Sequence, residues 1–142
     1  MYPIENLVPH SASMLLLDKV LDYGDDWLKA QVEIRKDSMF CENDCVPALV
    51  GIEYMAQTIA AFAGKNDKLI NKKPSIGLLL GTRKYDSTVD NFPIGTILDI
   101  HVEQMYIDNS GLGVFKCKIE AENILVKANI NVYHSQDVTS LI

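Results

Sequence analysis

Pro47-Ala48-Leu49-Val50-Gly51-Ile52-Glu53-Tyr54-Met55-Ala56-Gln57-Thr58-Ile59-Ala60-Ala61-Phe62-Ala63 is the stretch on which the fold turns. Its residues are mostly compatible with a helix, and it is apolar on nearly every side. A helix that is apolar all round is buried. Pro47 suits the first helical position and Gly64 the position just past the end. The run falls short of the ~20 apolar residues of a bilayer span, so the chain's own sheet is expected to wrap it.

Strands flank this helix on both sides. Met14 to Leu21 is a mostly apolar run of strand length. Trp27 to Arg35 alternates, with Leu28, Ala30, Val32 and Ile34 on one side and Lys29, Gln31, Glu33 and Arg35 on the other. Gly24-Asp25-Asp26 between the two runs is a turn signal, which predicts a hairpin. After the helix come runs at Ile76 to Tyr85, Ile97 to Met105, Val114 to Ala121 and Ile124 to Tyr133. Short connections imply antiparallel neighbours. Ile4 to Val8 is expected to form a short helical turn. One curved antiparallel sheet around one central helix satisfies every apolar face. That is an α+β chain of the hotdog architecture, a single domain over residues 1–142. Pairing of such sheets edge to edge as dimers would cover the edge strands.

Composition narrows the function. Apolar residues make up 48% of the 142 residues, which excludes a disordered chain. Lys and Arg number 13 against 19 Asp and Glu, a net charge of −6. Phosphate neutralisation needs clustered cations, so nucleic acid is an unsuitable partner. The basic clusters are the short Asn71-Lys72-Lys73 and Arg83-Lys84. The Met1-Tyr2-Pro3-Ile4-Glu5 start has neither a basic nor a long apolar region, so a signal peptide and a membrane address are not expected and the cytoplasm is the default. Three cysteines, Cys41, Cys45 and Cys117, form no even disulfide framework. Cys41 and Cys45 have no other Cys or His near them in sequence, so no metal site is expected. No cofactor is expected either.

From Cys45 to Gly64 the sole charged residue is Glu53. Burial of an ionised carboxylate is costly unless it is paired or neutralised. Desolvation is therefore expected to raise its pKa and leave an acid that can hold a proton near neutral pH. Gln57, one turn later on the same face, is placed to hydrogen-bond and orient it. The alternative is that Glu53 emerges at a dimer interface or pairs with Arg83 or Lys84.

Three segments carry a resemblance. Val46-Pro47-Ala48-Leu49-Val50-Gly51-Ile52-Glu53-Tyr54-Met55-Ala56-Gln57 resembles the central-helix motif x-P-G-V-L-x-x-E-A-M-A-Q of the 3-hydroxyacyl-acyl carrier protein dehydratases. Val8-Pro9-His10 with Met14 through Leu21 resembles their L-P-H-R-x-P-x-L-L-V-D-R-V segment. Gly77 through Lys84, then Phe92-Pro93-Ile94-Gly95-Thr96, resembles their G-x-x-x-x-R-F-K-x-P-V-x-P-G-D stretch. The match runs in order over most of the chain and is closest in kind to the divergent dehydratases of aryl-polyene-type lipid clusters. The resemblance implies removal of water from a 3-hydroxyacyl thioester. A histidine takes the C2 proton and a carboxylic acid on the helix protonates the departing C3 hydroxyl. Helix-start N–H groups polarise the thioester carbonyl. Glu53 falls on the acid position. Ala48, Leu49, Gly51 and Gln57 fall against the substrate, with Ala48 where the family has glycine. An acyl carrier protein is the implied partner, with Arg83, Lys84, Lys72 and Lys73 the candidate docking cations. A homodimer or a hetero-oligomer with another hotdog dehydratase is also implied.

The sequence departs from the family at its loop histidine. The stretch before the helix reads Met39-Phe40-Cys41-Glu42-Asn43-Asp44-Cys45, and Met39 holds the histidine's place. His101 shares the parity of Asp99 and Glu103 and reads as solvent-facing, and His134 reads as lying past the last strand. His10, in a loop before the first strand, is the replacement base on this reading, expected to approach Glu53 across the acyl tunnel. A loop histidine bonded to a backbone carbonyl is the alternative. Two further functions stay open: a non-catalytic hotdog subunit that pairs with an active dehydratase, and an acyl thioesterase.

Overall fold

The computed structural model describes residues 3–4, 15–69 and 76–135. Its strands are β1 (Lys19–Tyr23), β2 (Trp27–Glu33), β3 (Cys45–Pro47), β4 (Ile76–Ser87), β5 (Asn91–Pro93), β6 (Ile97–Ile107), β7 (Leu112–Ala121) and β8 (Ile124–Ser135). A 3-10 turn at Ala48–Val50 leads directly into helix α1 (Gly51–Leu69). Six strands form one antiparallel sheet in the order β1-β2-β6-β7-β8-β4. The helix packs against β2, β4, β6 and β7. This is the sheet-around-helix architecture that the apolar pattern demands.

Alternation sets which face is covered. Leu28, Ala30 and Val32 of β2 stand opposite Val102, Ile100 and Leu98 of β6, and all six are buried. Phe115, Cys117 and Ile119 of β7 and Val126, Ala128, Ile130 and Val132 of β8 continue the same face. The helix answers with Met55, Ile59, Ala61 and Phe62, and Phe62 meets Phe115 edge-on at 5.6 Å. Each large apolar side chain so buried contributes about 1.5–3 kcal/mol.

Several expected boundaries move. Pairing of the first strand starts at Lys19 rather than Met14 and runs to Tyr23. The helix does not begin at Pro47, which instead precedes the 3-10 turn, and no side chain caps that turn. Nor does it stop at Gly64. A glycine weakens a helix by roughly 0.5–1 kcal/mol relative to alanine, too little to end one whose next residue is anchored. Lys65 is buried, donates to the Gly24 carbonyl at 2.7 Å and lies 4.6 Å from the Phe62 ring centre. β8 continues to Ser135, so His134 lies in the strand, opposite Gly77, and not beyond it. The expected turn from Ile4 to Val8 falls, Ile4 apart, outside the described residues.

A second, two-stranded ribbon positions the helix start. Val46 of β3 pairs with Phe92 of β5, both fully buried, and the Ala48 N–H donates to the Asp90 carbonyl at 2.8 Å. Among the described residues no helix is long and apolar enough to cross a membrane.

Candidate functional site

Glu53 occupies the first turn of α1, where the helix dipole favours a carboxylate. Gln57, almost completely buried, donates from Nε2 to Glu53 Oε1 at 3.3 Å. The Leu16 N–H donates to Gln57 Oε1 at 2.8 Å. That second bond fixes the amide's orientation: with its oxygen taken by a donor, its NH2 group must face Glu53. The hydrogen bond expected from the spacing is thus present, and it is locked from behind by the chain entering β1.

The helix is not enclosed on every side within the single chain. Ile52, Glu53, Ala56, Ala60 and Ala63 are all half-buried, a stripe at helical spacing along one side of α1. Leu49 at the helix start is 70% exposed. The full burial expected of Glu53 is therefore not reached in this chain alone. The sheet covers one face of α1, and small residues leave the other open. Arg83 and Lys84, the cations considered as partners for Glu53, are exposed on β4.

A residue that the sequence pattern did not single out sits at the helix start. β4 is bulged between Arg83 and Asp86, with Lys84 in the left-handed region at φ 55°. The bulge turns Tyr85 inward, and its hydroxyl donates to the Ala48 carbonyl. Burial, then the neighbouring Tyr54 phenol, pushes the Tyr85 pKa up to about 12. Gly51 lies directly beneath. A Cβ there would overlap the Tyr85 hydroxyl and press on Ile119 Cδ1 at 3.0 Å. Alternation along β4 could not reveal this, because a bulge resets the parity.

Ala48 is buried, Leu49 exposed and Gly51 buried, so the four substrate-side residues Ala48, Leu49, Gly51 and Gln57 divide between the helix start and the core. No side chain caps the 3-10 turn, and of its backbone N–H groups that of Ala48 is taken by the Asp90 carbonyl. Met39 is 36% and Phe40 56% exposed, and Phe40 adopts φ 68°. Met39 borders a cavity of about 330 Å³ that Leu15, Leu16, Val32 and Tyr54 also line. His10 lies outside the described residues, as do Lys72 and Lys73. His101 is on the outer face as expected, half-buried and stacked on Trp27 at 5.5 Å, and burial followed by Lys118 lowers its pKa. A groove of about 460 Å³ crosses that outer face, lined by Lys84, Lys116, Lys118 and Lys127 together with Asp86 and Glu103.

Comparison with known proteins decides the family. The sequence profile of the ApeP-like family, described as ApeP dehydratase, matches residues 2–142. The chain belongs to that family. It is similar to a chain in the dehydratase heterocomplex ApeI:P from Xenorhabdus doucetiae, at 31% identity and a TM-score of 0.91, covering 99% of this chain and 95% of that one. It is thus a dehydratase-like hotdog protein of the 3-hydroxyacyl type, and the resemblance read from its motifs holds. An HP0420 homologue from Helicobacter felis (15% identity, TM-score 0.67, 95% and 91% coverage) shares the fold. So does a hypothetical thioesterase with coenzyme A from Streptococcus pneumoniae (10% identity, TM-score 0.62, 82% and 84% coverage). No curated protein sequence matches the chain.

Proposed function

We propose that this member of the ApeP-like family is itself a catalytic dehydratase, acting on 3-hydroxyacyl thioesters presented by an acyl carrier protein. His10 takes the C2 proton, the C2–H electron pair becomes the C2=C3 double bond, and the C3–O bond breaks. Glu53 gives its proton to the departing hydroxyl, which leaves as water. The observation that carries this reading is the Leu16–Gln57–Glu53 chain of hydrogen bonds, which holds the carboxyl in one orientation beside an uncapped helix start.

The half-exposed stripe on α1 and the exposed Leu49 support a partner subunit covering this side. A second hotdog chain is the partner proposed, in line with the heterocomplex formed by the Xenorhabdus relative. Lys84, Lys116, Lys118 and Lys127 support docking of an acidic carrier on a chain that is otherwise net negative. Met39 in place of the loop histidine favours a second reading, in which the chain shapes the tunnel of an active partner.

The test is incubation of the chain, alone and co-produced with a hotdog partner, with 3-hydroxyacyl-carrier substrates under mass spectrometry. Loss of one water that depends on Glu53 of this chain supports the proposal. Water loss that needs the partner and is indifferent to Glu53 supports the second reading.

A further inference from the structure

Tyr54 follows the proposed acid in sequence, and the proposed proton transfers do not use it. Its side chain is 2% exposed, with the ring tilted against Phe92 at a centroid separation of 6.4 Å. Burial first, then the charges of Asp18 and Cys41, push its pKa up to about 12, so the phenol is a neutral O–H at every physiological pH. Among the described residues this hydroxyl has no hydrogen-bond partner. Buried hydroxyls are nearly always bonded, because desolvation without a partner is unfavourable.

The cavity beside it suggests what the partner is. Among the described residues its apolar lining is Leu15, Leu16, Val32, Met39 and Tyr54, and its polar lining is Asp18, Glu33, Asp37, Arg35 and Ser38. Arg35 is already engaged, 3.1 Å from Asp18 and 3.6 Å from Glu33. Three carboxylates against one occupied guanidinium repel a phosphate or a carboxylate. A cavity of about 330 Å³ that sets apolar side chains beside the neutral Tyr54 donor suits an uncharged chain that bears an oxygen acceptor.

We infer that Tyr54 is a substrate-binding residue whose hydroxyl donates a hydrogen bond to a neutral oxygen of an acyl group lodged in this cavity. The inference rests on the dehydratase reading for the ligand's identity. The thioester carbonyl and the C3 hydroxyl share the required chemistry.

The test is calorimetric binding to the full chain and to its Tyr54→Phe variant, with melting temperatures recorded for both. Three unreactive pantetheine ligands are compared: the 3-hydroxyoctanoyl amide, the octanoyl amide, and the octyl thioether, which lacks both oxygens. The variant should melt no lower than wild type, because it keeps the ring and loses a hydroxyl that bonds none of the described residues. It should bind one or both amides about threefold to tenfold more weakly, the range of one neutral hydrogen bond, and the thioether equally well. Weakening of both amides identifies the carbonyl as acceptor, and weakening of the hydroxylated amide alone identifies the C3 hydroxyl. Equal binding of all three ligands by both proteins, an equal loss for all three, or no binding by wild type would overturn the inference. Turnover separates the two ideas. Dehydration by wild type with unchanged binding by the variant refutes the role of Tyr54 alone. Tyr54-dependent binding without dehydration, even with a partner present, refutes the dehydratase reading alone.

Discussion

At the scale of single residues, the site depends on a carboxyl held by an amide that is itself held by the backbone. Gln57 accepts from Leu16 and donates to Glu53, so movement of the segment entering β1 would be felt at the carboxyl. Glu53→Gln preserves size and can still bond Gln57, but it has no proton to transfer. General acid–base groups typically contribute ~10²–10⁴-fold. Dehydration by the variant is therefore expected to fall at least about a hundredfold with an unchanged melting temperature. A folded variant within about threefold of wild type would remove Glu53 from the acid's role, since that lies far below the general-acid range. Glu53 and its helix partner were legible in the sequence because one charge in an apolar run is conspicuous. Tyr54 was not, because a tyrosine in an apolar helix reads as core until its hydroxyl is seen to lack a partner among the described residues.

At the scale of elements, what the sequence revealed depended on how long each pattern ran. β2 and β8 each carry at least three alternations, and their inward residues are the ones that the pattern marks. β3 and β5 have three residues each, too few for any period, and they went unseen although they set the helix start. The helix overran Gly64 because Lys65 is tied to the β1–β2 turn, a contact between distant segments that no local signal announces. The junction of the β4 bulge with α1 is another such contact, and it makes a prediction. Gly51→Ala drives a methyl into the Tyr85 hydroxyl and should destabilise by about 1–3 kcal/mol, the usual range for overpacking. Tyr85→Phe loses the bond to Ala48, about 1 kcal/mol, but vacates that space, leaving the ring carbon at an ordinary 3.5 Å. The double variant should therefore be more stable than the sum of the single effects implies. Urea denaturation of all four proteins measures the coupling, and strict additivity would mean that the two residues do not meet.

At the scale of the whole molecule, one core joins all six sheet strands to one helix, so groups buried in it should register in global stability. Three of them are acids held protonated by burial. Cys117 is pushed up from 9.0 to about 12, and Tyr54 and Tyr85 from 10.0 to about 12. An acid whose folded pKa is raised keeps its proton in the folded chain after the unfolded chain has lost it. The unfolded state then binds fewer protons, and stability falls as pH rises through that window. Lys65 acts with the opposite sign. Its pKa is lowered by desolvation, so up to 10.5 the unfolded chain holds a proton the folded chain gives up, and stability rises with pH. The cysteine contribution starts first. Between pH 9 and 10 the unfolded cysteine ionises ahead of the tyrosines, so Cys117 should remove about 1 kcal/mol across that unit, more than Tyr54 and Tyr85 together. Cys117→Ala should start less stable at pH 8 because it leaves a cavity. Its stability should then decline less steeply than that of wild type between pH 9 and 10. Above pH 10 Tyr54 and Tyr85 add to the fall of both proteins, and the gap between the curves should keep widening, because the folded thiol holds its proton until about pH 12. The measurement is the free energy of urea unfolding at half-unit steps from pH 8 to 11.5. Parallel curves between pH 9 and 10 would show that the Cys117 thiol is not held protonated by the core.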